Sequence, residues 1–393
     1  MKIHTVLRGH KIEIYPTDFQ KEIINITIGA ARKMYNSLHE QFLYRANLTK
    51  VEKEVHKYQN YTALKNKWDN DANWLKQVSC QALSNTEYNY KKAWNNFKQN
   101  PKDFNIPTFK KKGKSKNSYS LCRNTVKNDI RIEGKYIVIP KLGKVKLSQK
   151  LRFNGIINKI TISKLNTGRY ICSVLVEYEE RVLSNKGKKS GVDLGLTEYI
   201  IDNHGYKVNN PRFYRKLESK LIKEQRILSR KIEQAKKNNR NYEDCKNLQK
   251  QKIKVAKLHE KIKNQRIDFL HKLTTQLCED NQFIALESLT VKNMIKNKKL
   301  AKSIQDAAWG EFVRHLLYKS KQYGTTIVQI DRWSPTSKIC SSCGCYHPEV
   351  VCNLSIREWV CPSCEAQHDR DINAAKNIFH LGIKEHEEML LVA

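Results

Sequence analysis

The sequence predicts a multidomain α+β protein: β-rich segments interrupted by a helical block, then a strand-and-helix domain with a metal-binding module inserted near its end. Three observations predict it. Cys340, Cys343, Cys361 and Cys364 stand in the order C-x2-C-x17-C-x2-C. Asp193, Glu287 and Asp371 each sit in or beside a short apolar strand or at a helix start. Apolar spacing switches from the helical period to strict alternation and back along the chain.

Taken in order, residues 2–15 read as a strand or strand pair with Ile3, Val6, Ile12 and Ile14 among charges, ended by Pro16. From Asp18 to about Asn100 the pattern is helical: Phe19, Ile23, Ile26 and Ala30 recur at three- and four-residue steps, as do Leu75, Val78 and Ala82. Tyr88, Tyr90, Trp94 and Phe97 read as packing between helices. The run FKKKGKSKN (109–117) is a loop whose lysines, Lys110, Lys111 and Lys112 among them, suit phosphate contact in so basic a chain.

Residues 118–182 alternate like strands, at 136–140, 144–148, 159–163 and 170–178, with a turn at LNTG (165–168). They predict a small β-barrel or sandwich completed by the N-terminal strand, the helical block being an insertion. GVDLGL (191–196) then places Asp193 inside a short apolar strand, and NHG (203–205) is a hairpin turn. Residues 212–280 read as a helical hairpin broken near Asn238–Asn241. FIALESL (283–289) ends a strand on Glu287. Residues 303–323 form one amphipathic helix closed by Gly324, with Trp309, Phe312, Val313, Leu316 and Leu317 on one face. A strand at 325–333 leads to the cysteines.

Composition selects the partner. Lys and Arg outnumber Asp and Glu by 73 to 39, for a net charge of +34. Self-repulsion of that size destabilises a compact chain unless a polyanion shares its volume, so nucleic acid is expected in quantity. No stretch approaches the ~18 apolar residues of a spanning helix, and the N-terminus scatters charge where an export signal needs an apolar run. Eleven cysteines without such a signal suit a reducing cytoplasm. Cys80, Cys122, Cys172, Cys245, Cys278, Cys345 and Cys352 read as packing residues.

The spacing of the other four is that of a structural zinc site, each C-x2-C pair aiming two sulfurs at one tetrahedral ion. The acids imply a second kind of metal. An unpaired carboxylate in a buried strand is costly, but carboxylates tolerate proximity when Mg2+ bridges them. Two such ions ~4 Å apart activate a water and stabilise the leaving oxygen in phosphodiester hydrolysis. Strand, hairpin, helices, strand, helix, strand and an acid-headed helix is the layout of an RNase H-like fold. Asp369 competes with Asp371 for the third position, since either can cap the helix INAAKNIF.

The motifs GVDLGL, ALESL, SPTSKICSSCG, REWVCPSC and HDRDINAAKNI together resemble the TnpB (OrfB) family of insertion-sequence proteins, relatives of type V CRISPR effectors. KIEIYP, SCQAL, PTFKKKGKSKNSY, NPRFYRKLESKL and AAWGEFVRHL extend the resemblance over nearly the whole chain. It implies an RNA-guided endonuclease that binds a guide RNA encoded near its own gene, reads a short target-adjacent motif and cuts double-stranded DNA in one Mg2+-dependent RuvC site. By motif match Asp193, Glu287 and Asp371 take the catalytic positions, Asp371 being the acid before x-N-A-A. Residues 1–16 and 115–183 match the β-barrel wedge domain, 17–114 the helical recognition domain, 184–333 and 365–393 the RuvC nuclease, and 334–364 the zinc module. Lys76 and Gln81 fall in the helix facing the target-adjacent motif. Ser288 replaces the Asp or Asn usual after the second acid, and GIKEHEEMLLVA replaces a long basic tail. A single nuclease site and no obvious dimer helix suggest a monomer, expected in a prokaryotic cytoplasm and on the nucleoid when engaged. A guide-directed DNA-binding repressor and a small type V effector are the alternatives; three retained acids favour the nuclease. A transposase proper fits the recognition and zinc segments less well.

Overall fold

The computed structural model describes residues 3–69, 73–123, 129–349 and 356–392; Cys352 lies outside them. The chain divides into two compact units, Thr5–Glu179 and, together with the first four residues, Glu180–Ala393.

The first unit joins a sheet to a helical layer. Strand β1 (Ile3–Tyr15) precedes α1 (Asp18–Ala46), α2 (Lys50–Val55), α3 (Tyr61–Asp69), a 3₁₀ turn at Asn73–Gln77 and α4 (Cys80–Gln99). Six strands follow: β2 (Ser118–Cys122), β3 (Arg131–Glu133), β4 (Tyr136–Ile139), β5 (Gly143–Leu147), β6 (Ile156–Lys164) and β7 (Tyr170–Arg181). The sheet order is β2-β6-β7-β1-β5-β4-β3, so the N-terminal strand sits at its centre. A capping box starts α1: Thr17 accepts from Gln20 N–H while the Gln20 side chain accepts from Thr17 N–H. One side of α1 (Ile23, Ile24, Ile28) packs on the sheet core with Ile137, Val145, Ile160 and Val174. The other (Ala30, Met34, Leu38) meets Leu75, Leu83 and Tyr90.

Two expectations fail here. Phe19 and Tyr88 are exposed, since the first turn of α1 and the outer side of α4 reach past what they cover. Cys80 and Cys122 are exposed as well, as is Cys345 in the second unit, with Cys245 half-buried; only Cys172 and Cys278 pack as a core thiol would. In the lysine-rich loop, Lys110 is anchored. Its backbone is held by Asn36 through two hydrogen bonds of 2.8 and 3.0 Å, and its ammonium sits 3.8 Å from the Tyr35 ring centre.

The second unit is a sheet covered on both faces. It contains β8 (Lys188–Leu194), β9 (Glu198–Asp202), β10 (Lys207–Asn209), α5 (Phe213–Lys237), α6 (Lys246–Asp280), β11 (Asn281–Glu287), α7 (Val291–Met294), α8 (Ala301–Ala307), α9 (Trp309–Tyr323), β12 (Thr326–Ile330), β13 (Glu358–Val360), β14 (Gln367–Asp369) and α10 (Arg370–Val392). The five-stranded order is β10-β9-β8-β11-β12. β8, β9 and β10 pair antiparallel, whereas β8, β11 and β12 run parallel. The turn into β10 forms at Asp202, whose carboxylate accepts from His204 and Tyr206 N–H, with Gly205 at φ +86°. α5 and α6 make the hairpin, closed on Leu221, Val255 and Ile262.

The helix expected over 303–323 is two helices. Ala308 takes a left-handed conformation, φ 54°, and the Tyr199 hydroxyl donates 2.9 Å to the Ala307 carbonyl that the break leaves open. Leu317 is exposed, unlike Trp309, Phe312 and Leu316.

Candidate functional site

Alternation along each strand decides which face its residues occupy. Phe283 and Ala285 of β11 join Val328, Ile330 and Ile378 on the side covered by α10, while Ile284 and Leu286 join Leu270, Phe312 and Leu316 on the α6/α9 side. Glu287 therefore falls on the α10 face. On β8, Val192 faces the α6/α9 core and Gly191 lies under α10, where a Cβ would stand 2.3 Å from the Ala375 carbonyl and 2.6 Å from Phe379 Cβ. Asp193 accordingly shares the face of Glu287. The parallel register sets Leu286 beside Val192, and one residue further it sets Glu287 beside Asp193. Asp371 begins the same helix one turn before Ala375, about 6 Å back along its axis, as Asp193 lies about 6.6 Å beyond Gly191.

Three carboxylates from three elements thus meet at one end of the sheet. Asp193 is half-buried; burial first, then the charges of Glu287 and Asp371, push its carboxyl up to about 7. Thr336 donates 2.7 Å to Glu287 Oε1, and the Arg357 guanidinium pairs with Asp371 at 2.7 Å. Asp369 has a different task. Its Oδ1 accepts from the N–H groups of Asp371 and Ile372, both at 3.0 Å, and its Oδ2 pairs with Lys207 at 2.6 Å. Against burial, which pushes upward, those partners hold its carboxyl below the usual range. Asp369 is the helix cap, and Asp371 is left facing the other two acids.

The cysteines form a second centre. All four sulfurs lie within 4.8 Å of one another, with 3.6 Å between Cys340 and Cys364 and 3.7 Å between Cys343 and Cys361. A tetrahedral ion with metal–sulfur bonds of ~2.3 Å holds its sulfurs ~3.8 Å apart, so the group fits a metal such as zinc. Each pair is built by the same local turn. Cys340 N–H donates to Cys345 O and Gly344 N–H to Cys340 O; Cys361 N–H donates to Ala366 O and Glu365 N–H to Cys361 O, all at 2.9 Å. The turns require positive φ at Gly344 (78°) and Glu365 (59°). Among the described residues no other cluster brings three donor atoms this close; the carboxylates stand wider.

Several residues at this centre were not singled out by sequence. His368 Nε2 lies 3.0 Å from Cys340 Sγ, and His347 Nε2 lies 3.5 Å from Cys361 Sγ. Asn373 and Asn377, one turn apart on α10, bond the backbone at Thr336, Ile339 and Ser341. Paired asparagines four apart on a helix were the available signal. In the first unit Lys76 is exposed on the 3₁₀ turn, apart from α4, while Gln81 in the first turn of α4 donates 3.0 Å to Asp129. Lys111 and Lys112 are exposed.

An acidic strand edge beside a four-cysteine centre, in a multidomain α+β chain, defines a class of protein that comparisons narrow. Family models match residues 309–378 ("Cas12f1-like, TNB domain"), 173–298 ("Probable transposase", OrfB) and 1–45 ("Helix-turn-helix domain"); the last of these stretches is occupied here by β1 and most of α1. A protein of Streptomyces pristinaespiralis is 33% identical over 96% of this chain and 90% of its own length. InsQ of Escherichia coli (strain K12) is 28% identical over 96% of this chain and 92% of its own. Both bear the name "Putative RNA-guided DNA endonuclease". The chain belongs to the TnpB (OrfB) family. Its fold is similar to that in "Cryo-EM structure of the Cas12f1-sgRNA-target DNA complex", with TM-score 0.54 at 13% identity over 95% of this chain and 98% of that one.

Proposed function

We propose that this protein is an RNA-guided DNA endonuclease that hydrolyses phosphodiesters at Asp193, Glu287 and Asp371. The observation that carries the reading is the coupling of these carboxylates, each delivered by a different element, with Asp193 driven up to about 7 by burial and by the other two. The order β10-β9-β8-β11-β12, antiparallel then parallel, supports an RNase H-like, RuvC-type domain. Residues 184–333 and 365–393 would form it, 334–364 the zinc module, 1–16 and 115–183 the wedge, and 17–114 the recognition domain.

An all-oxygen, like-charged donor set suits Mg2+; bound in a pair, it would supply a polarised water and charge stabilisation at the leaving 3′-oxygen. The chain's own part is to hold three acids on one face, with Thr336 fixing Glu287 and Asp369 capping the helix that presents Asp371. The charge of +34 suits a guide RNA and its DNA heteroduplex, bound through their backbones. Lys110, Lys111 and Lys112 are proposed to contact phosphate, Lys110 from a backbone tied to α1 by Asn36. Lys76 and Gln81 are proposed to face the target-adjacent motif, and the protein to act as a monomer in a prokaryotic cytoplasm.

The test is co-expression with the flanking transposon sequence, sequencing of any bound RNA, and incubation of the complex with Mg2+ and a guide-matched plasmid beside randomised bases. Double-strand cuts that vanish in Asp193→Ala are expected. Guide-dependent binding without cutting indicates a repressor, and absence of co-purifying RNA refutes guidance altogether.

A further inference from the structure

Thr336, Asn373 and Asn377 are buried polar residues that neither the acids nor the thiolates require as ligands. Burying a polar side chain is unfavourable unless its hydrogen bonds are satisfied, and here the bonds converge on one loop. Asn373 Nδ2 donates 2.7 Å to the Ile339 carbonyl while its Oδ1 accepts from Ser341 N–H at 2.8 Å, so the residues flanking the ligand Cys340 are clasped from both sides. Asn377, one turn further along α10, donates to the Ile339 and Thr336 carbonyls at 2.6 and 2.7 Å. The Thr336 hydroxyl then donates 2.7 Å to Glu287 Oε1. The helix clasping this loop is the one whose first turn carries Asp371. On the other side of the module, His368 bonds Cys340 Sγ directly before the cap Asp369.

We infer that Thr336, Asn373 and Asn377 form a latch through which the four-thiolate module positions the second and third acids for metal binding. The thiolate centre fixes the Cys340 loop, the loop fixes α10 through the asparagines, and Thr336 holds one oxygen of Glu287 so that the other stays open to a cation. The three are positioning residues and touch neither metal. Outer hydrogen bonds to metal-binding groups commonly govern affinity by about 10–100-fold. The inference rests on the reading of Asp193, Glu287 and Asp371 as the catalytic metal site.

The test measures binding of Mn2+, a spectroscopic stand-in for Mg2+, to the purified guide-loaded complex by electron paramagnetic resonance, alongside zinc content. Thr336→Val removes the hydroxyl at nearly constant shape, and Thr336→Ser restores it. Thr336→Val is expected to weaken Mn2+ binding about tenfold and raise the Mg2+ needed for half-maximal cleavage equally, with one zinc per chain retained and Thr336→Ser close to wild type. Asn377→Ala is expected to weaken Mn2+ similarly with zinc retained. Wild-type Mn2+ affinity in Thr336→Val overturns the latch, as does Mn2+ loss in Asn377→Ala only together with zinc loss, which would mark a purely structural contact. Unchanged Mn2+ binding in Asp193→Ala would instead refute the catalytic reading beneath it.

Discussion

The thiolate centre and the acidic edge both gather like-charged groups within one unit, and they are held in opposite ways. Each cysteine pair is made by a six-residue turn with its own two backbone hydrogen bonds; over longer range the two turns must face each other, with Asn373 and Asn377 holding the Cys340 loop. The acids share no local frame. Asp193 and Glu287 depend on the parallel register of β8 and β11, and Asp371 depends on α10 lying close enough to the sheet that Gly191 has no room for a Cβ. The cysteine centre should therefore survive disturbances of the sheet that dismantle the acidic edge, and removing a metal held there should disturb mainly the module itself and whatever the module positions.

The largest effect tests the first half of that contrast. Cys361→Ser removes a buried ligand, and structural zinc sites contribute on the order of 10 kcal/mol to local folding. Zinc per chain is expected to fall from one to near none, with new protease cuts confined to residues 334–364 while β8 and β11 stay protected. Protease sensitivity spreading at once through β8 and β11 would show that the module and the sheet fold as one.

Gly191→Ala tests the other half. A Cβ 2.3 Å from a helix carbonyl forces α10 off the sheet, and overpacking of this kind costs about 3 kcal/mol. The variant should lose stability and cleavage but keep its zinc, read by a colorimetric chelator. Zinc loss to the same degree would mean that the thiolate turns are not self-sufficient.

The same contrast explains what was legible from sequence. Two identical turns leave a spacing that can be read directly, and strand alternation showed Asp193 and Glu287 as acids where apolar residues belong. Helix capping alone left Asp369 and Asp371 level and the motif match preferred Asp371; the cap bonds and the Lys207 pair, which fall to Asp369, were not legible. The break at Ala308 was illegible because its partner, Tyr199, comes from more than 100 residues away. Thr336, Asn373 and Asn377 look like ordinary polar residues until tertiary structure brings them to one loop. The anchoring of Lys110 was illegible for a related reason: a run of lysines reads as solvated, and nothing local shows that Asn36 and Tyr35 hold one of them.

A smaller effect separates the two neighbouring aspartates. Asp369→Ala removes the cap of α10 and should cost about 1 kcal/mol in the denaturant midpoint while leaving cleavage largely intact. Asp371→Asn should shift stability by less than about 0.5 kcal/mol, as for other exposed ion pairs, and abolish cleavage. Reversed outcomes would exchange their roles.

The last expected effect, confined to neutral and alkaline pH, concerns Asp193 in the absence of metal. Its carboxyl titrates near 7 in the folded chain against an ordinary aspartate in the unfolded one, so between about pH 4 and 7 the folded state binds more protons. Stability falls with rising pH wherever the folded state is the more protonated. The contribution is therefore fully present below pH 4 and is lost as pH rises through 7. In a chelator, Asp193→Asn should unfold at nearly the wild-type temperature at pH 4 and about 5–10 °C above it at pH 8, because the amide carries no charge to crowd Glu287 and Asp371. Added Mg2+ should raise the wild-type melting temperature at pH 8 and leave that of Asp193→Asn almost unchanged, closing the gap from the other side. A wild-type advantage at pH 8 in chelator would mean that the carboxylates are already compensated within the chain, by Arg357 and its neighbours. The acidic edge would then resemble the thiolate centre in being complete without help from other elements.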